Sequence, residues 1–70
     1  MINIRLDHVL LDKRMKLKDL AERTGIAVNN LSILKTNKAR AIRFSTLNAI
    51  CQALDCSPGD LLEYIPEEDK

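Results

Sequence analysis

Residues 17–36 read LKDLAERTGIAVNNLSILKT, and the spacing within them decides the fold. Leu20 and Ala21 form the apolar side of a helix from Leu17 to about Thr24. Gly25 ends it, because glycine enters the left-handed region without a Cβ penalty and so permits a sharp change of direction. A second helix is predicted from Val28 to Thr36. Leu31 and Leu34 face inward at i, i+3, with Ile26 buried just before it, and Asn37 closes it in the left-handed conformation. A small residue at Ala21 lets the two helices approach closely. The pattern is that of two short helices crossing over a tight turn, with the second keeping one face free. That free face carries Val28, Asn29, Ser32 and Ile33, with Asn30 at its edge.

The flanking sequence adds three more helices. A first helix is expected from about Ile4 to Arg14, with Asn3 as N-cap and Leu6, Val9 and Leu10 as its apolar stripe. A polar, basic loop runs to Arg43. A fourth helix begins near Phe44 or Ser45, with Leu47, Ile50, Cys51 and Leu54 on one face. The fifth opens at Ser57-Pro58-Gly59-Asp60, where Ser caps, Pro takes the first helical position and Asp meets the positive helix end. Leu61, Leu62 and Tyr64 or Ile65 then close the core. An alternative for the ends is a small β-pairing of Ile2 and Ile4 with Tyr64-Ile65. Residues 1–66 are expected to form one domain, all-α and compact, and residues 67–70 a frayed acidic tail.

Composition narrows the functional classes. Seventy residues make a single domain, and such a chain buries only about 60% of its unfolded surface. Aromatic residues amount to 3%, too few to stack single-stranded bases. No apolar run approaches a membrane span and no signal-peptide pattern is present, so a cytoplasmic setting is expected. His8 is the only histidine, and Cys51 and Cys56 stand five apart. Neither a metal site nor a disulfide framework is expected, and both cysteines read as reduced structural residues. No nucleophile–base pair or paired-carboxylate site can be assembled, so the chain is not expected to be an enzyme. No cofactor or small-molecule ligand is implied.

The net charge of +1 conceals a dipole. Residues 1–54 carry ten Lys/Arg against four Asp/Glu, whereas residues 55–70 carry one Lys against six acids. A basic body with an acidic end attracts a polyanion on one side and repels it on the other. Lys35, Lys38, Arg40 and Arg43 place four cations in nine residues with no acid among them.

With these residues in view, the chain resembles the Cro/lambda-repressor-like (XRE-type) family of helix-turn-helix regulators. The stretches LKDLAERTGIAVNNLSIL and FSTLNAICQALDCSPGDLL carry the resemblance, which covers essentially the whole chain. It implies a compact five-helix domain whose third helix reads base edges in the major groove of double-stranded DNA, and many members are dimers on palindromic operators. On this resemblance Val28, Asn29, Ser32 and Ile33 fall at base-facing positions. Asn29 is the best candidate for direct readout, since its amide pairs bidentately with adenine. Lys35, Lys38, Arg40 and Arg43 match the backbone-gripping loop, Lys16 and Lys18 a phosphate contact at the second helix, and Asn30 a phosphate or sugar contact.

Each of these residues also has a plainer reading as solvated helix or loop surface. Four positions depart from the family pattern. Lys16 stands where Ser or Thr is usual, Leu17 where Gln is common, Lys35 where Glu is common and Asn37 where Gly is common. Val28 and Ile33 put apolar side chains among the readers, where they either touch thymine methyls or form a protein-binding strip. The expectation is therefore a DNA-binding transcriptional regulator, most simply a homodimeric repressor. The alternative is a protein-interaction module of the same fold, such as an antitoxin-like or anti-repressor subunit.

Overall fold

In a computed structural model that describes residues 1–36 and 38–67, apolar spacing places five helices where it predicts them. The order is β1 (Ile2–Ile4), α1 (Leu6–Asp12), α2 (Leu17–Thr24), α3 (Val28–Lys35), α4 (Phe44–Leu54), α5 (Pro58–Leu61) and β2 (Leu62–Tyr64). Asn37 and residues 68–70 lie outside the described residues, so the predicted cap at Asn37 and most of the acidic tail do too. Among the described residues, no helix is long and apolar enough to cross a membrane.

One core serves all the helices. Leu6, Val9 and Leu10 of α1 meet Leu20, Leu31, Leu34, Leu47, Ile50, Leu54 and Leu61, every one of them buried. Leu20 and Leu31 are sealed completely, at 0% exposure. Helix α2 packs on both α3 and α4, and α1 packs on α3 and α5. Aliphatic side chains of similar volume fill the space between short helices without an aromatic ring. Leu17, where the family pattern favours a polar residue, is half-buried against this core, which accounts for its apolar character.

The ends depart from the all-helical expectation in favour of the β alternative. Ile2–Ile4 pairs antiparallel with Leu62–Tyr64 in the register Ile2↔Tyr64, Asn3↔Glu63 and Ile4↔Leu62. Asn3 is thus a strand residue rather than a helix cap, and its Nδ2 donates to Glu63 Oε1 at 3.1 Å. Helix α1 starts two residues late, at Leu6, because Ile2 and Ile4 alternate with a polar residue and suit a pleated strand. It also stops early, at Asp12, and Arg14 turns the chain through φ +53°.

At the other end α5 lasts a single turn. The Asp60 carboxylate reaches back to accept from the Ser57 N–H at 3.0 Å and the Ser57 hydroxyl at 3.2 Å. Leu62 then adopts extended backbone, which carries Tyr64 and Ile65 away from the core they were expected to close; they are 68% and 39% exposed.

Candidate nucleic-acid interface

The turn between α2 and α3 is fixed by three adjacent residues. Gly25 adopts φ +75°, and its N–H donates to the Ala21 carbonyl at 2.8 Å. The Thr24 hydroxyl donates to the Leu20 carbonyl at 2.8 Å and accepts from the Ile26 N–H at 3.2 Å. Ile26 and Ala21 pack on the core, which sets the angle at which α3 leaves. Ala27, extended, accepts from the Asn30 and Leu31 N–H groups at 3.0 and 3.1 Å. Among the described residues no side chain caps this start, and no acidic residue stands in its first turn to offset the positive end of the helix dipole.

Helix α3 is two-faced. Leu31 and Leu34 are buried at 0% and 6% exposure, whereas Val28 and Ile33 stand at 45% and 46%. With 3.6 residues per turn, Asn29 lies almost diametrically opposite the Leu31–Leu34 face. Asn29 and Asn30 are exposed and Ser32 is half-buried. The far end of the helix is stitched by Thr36, whose hydroxyl donates to the Ser32 carbonyl at 2.9 Å, and by the Lys38 N–H, which donates to the Ile33 carbonyl at 3.0 Å.

The basic loop that follows is anchored rather than purely polar. Lys38, Arg40, Ala41 and Arg43 are exposed, but Ala39 and Ile42 pack against the core between them. The apolar residues interleaved with the cations in KARAIR are the signal for this arrangement. A cleft of about 420 Å³ between α3, this loop and α4 brings together Asn30, Ile33, Arg43 and Thr46. Arg40 lines a second groove, beside Ile2, Ile42 and Leu62. Lys35 sits on the α1 side of α3, sharing a hollow with Asp7 and His8. Lys16 and Lys18 are both exposed at the start of α2, where the Lys16 carbonyl accepts from the Asp19 and Leu20 N–H groups.

The site residues therefore form a central group on α3 and the α4 entrance, with Arg40 and Lys35 to its sides. Phe44 extends the surface beyond what spacing suggests: it opens α4 next to Arg43 and is 87% exposed. Helical periodicity alone does not reveal an exposed apolar ring beside a cation at a helix start.

This geometry has parallels among known proteins. Residues 5–67 match the Cro/C1-type HTH DNA-binding domain. The chain is 56% identical over 68 residues to an uncharacterized HTH-type transcriptional regulator of Bacillus subtilis (strain 168), covering 97% of this chain and 81% of the relative. It also superposes, with a TM-score of 0.80 and 27% identity, on the crystal structure of a protein from Bacteroides fragilis described as DNA-binding. That alignment spans 90% of this chain and 100% of the other. On these grounds the chain belongs to the Cro/C1-type HTH DNA-binding family.

Proposed function

We propose that this chain is a transcriptional repressor that binds double-stranded DNA sequence-specifically as a homodimer, with α3 in the major groove. The observation that carries the reading is the division of α3: Leu31 and Leu34 seal the core while the opposite face stays open beside exposed cations. In this reading Val28, Asn29, Ser32 and Ile33 meet base edges. Lys16, Lys18, Asn30, Lys35, Lys38, Arg40 and Arg43 meet the phosphates, which supply most of the affinity. Repression is the mode proposed because a protein that occupies a promoter excludes others from it.

Eight residues of helix span about 12 Å and so reach only a few base pairs, and a second copy on a palindrome doubles the contact. Leu61, at 2% exposure, is not available for pairing. Met1, Ile2, Tyr64 and Ile65 are, forming one exposed apolar end on the β1–β2 ribbon, with the Ile65 N–H bonded to the Met1 carbonyl at 2.8 Å.

Selection from a random duplex pool, followed by sedimentation on the selected site, tests the reading. The expected result is a palindrome with half-sites about one helical turn apart and two chains per duplex. One chain on an asymmetric site refutes the dimer alone, and no enrichment refutes DNA recognition. The exposure of Val28 and Ile33 favours one second reading, a protein-binding strip, for which duplex affinity is weak and a partner is lost on Ile33→Ser.

A further inference from the structure

We propose that Cys51 and Cys56 form a reversible two-electron oxidation site, closing to an intramolecular disulfide across the C-terminus of α4. Five residues apart in sequence, they are brought together by the helix end. Asp55 turns the backbone into the left-handed region at φ 52°, ψ 53°, and the N–H groups of Asp55 and Cys56 both donate to the Cys51 carbonyl, the latter at 3.1 Å. This reversal folds Cys56 back over the last turn of α4, and both side chains are half-buried against the same core. The Cys56 N–H bond to the Cys51 carbonyl sets the two residues at the facing positions of this helix-end turn, where side chains meet, so closing the S–S bond needs little backbone movement.

Burial together with the neighbouring Cys51 pushes the Cys56 thiol up to about 11, so at neutral pH Cys56 keeps its proton. With a low-molecular-weight disulfide as oxidant, one of the two cysteines, as its thiolate, attacks one of the oxidant's sulfurs and expels one thiolate. The other cysteine then gives up its proton and attacks the Sγ of the first, expelling the second thiolate. The chain loses two electrons and two protons, and the small disulfide is reduced to two thiols. The product is a short ring that staples the α4–α5 corner and leaves α3 untouched.

The experiment is to incubate the folded chain with glutathione disulfide, quench, and weigh the products by mass spectrometry beside the same chain in denaturant. The folded chain is expected to lose the mass of two hydrogens, carry no glutathione, and return to its starting mass with dithiothreitol. Relative to glutathione adducts, the ring should be favoured at least about tenfold over the unfolded chain, because the fold holds the thiols together. Cys51→Ser and Cys56→Ser should each stop at a single adduct or stay unmodified. A folded chain that remains reduced, or that stops at mixed adducts under conditions that oxidise the unfolded one, overturns the proposal.

Discussion

The Thr24 hydroxyl accepts the Ile26 N–H at 3.2 Å, bridging Gly25 at the point where α2 hands over to α3. The same hydroxyl donates to the Leu20 carbonyl, so one oxygen ties the end of α2 to the entry of α3. Thr24→Val keeps the shape and removes both bonds, leaving a part-buried N–H without its partner. The expected loss is about 1–2 kcal/mol, or a fall in Tm of about 4–8 °C per kcal/mol for a domain this size. Thr24→Ser should recover most of it. Equal melting of the valine and wild-type proteins would show that water replaces the hydroxyl.

Leu31 and Leu34 differ in a way that ranks their variants. Both lie in the core, but Leu34 also lines the cleft between α3 and α4, which can relax around a smaller side chain. Leu31→Ala is expected at the upper end of about 2–5 kcal/mol and Leu34→Ala at the lower. Thermal melts followed by circular dichroism would expose a reversed order.

Asp60 gives the fold an acid-sensitive corner. Hydrogen bonds from the Ser57 N–H and hydroxyl hold its carboxyl below its ordinary value of 3.8. Stability from a carboxylate lowered by folding is complete above that ordinary value and disappears as the pH falls through the lower, folded one. Asp60→Asn should therefore melt below wild type at neutral pH, with the gap closing below about pH 3.8. A gap that is constant with pH would assign the effect to shape and not to charge.

How far these features were legible follows from how local they are. Helices α2 to α4, the Gly25 turn and the two-faced α3 rest on contacts a few residues apart, and apolar spacing gives them with their inward faces correct. The β1–β2 ribbon joins Ile2 to Tyr64, sixty-two positions away; the alternation of Ile2 and Ile4 offered this pairing as an alternative, but nothing local chooses it over a helix start. Asn3 before an apolar stripe looks like a helix cap until that partner is seen. The core roles of Ala39 and Ile42 are masked by the cations beside them. Phe44 is legible as a helix start but not as a protruding ring, because its exposure depends on what packs around the start of α4.

For the basic loop, Lys38, Arg40 and Arg43 changed together to Gln should weaken binding to every duplex by similar factors. The salt dependence should flatten by roughly one unit per lost phosphate contact. Loss confined to the selected site would make these residues readers instead.

Asn29 provides the sharpest test. If its amide pairs with adenine, Asn29→Ala should lose about 1–3 kcal/mol on the selected site and little on random DNA, relaxing preference at one base pair. Stability should hold or rise slightly, since alanine is the better helix former at an exposed position. Val28→Ser and Ile33→Ser should each cost discrimination at one T·A pair. Three variants that bind the selected duplex like wild type would remove α3 from the groove.

The anchoring of the KARAIR segment by Ala39 and Ile42 has a thermodynamic consequence. A free basic loop must surrender its conformational entropy when it meets a polyanion, which weakens association for a given charge. Here that ordering is completed during folding, so the cations arrive already presented. Enlarging Ala39 or trimming Ile42 should then lower affinity through added disorder, with the slope against salt unchanged. Charge and presentation become separately adjustable properties of the same six residues.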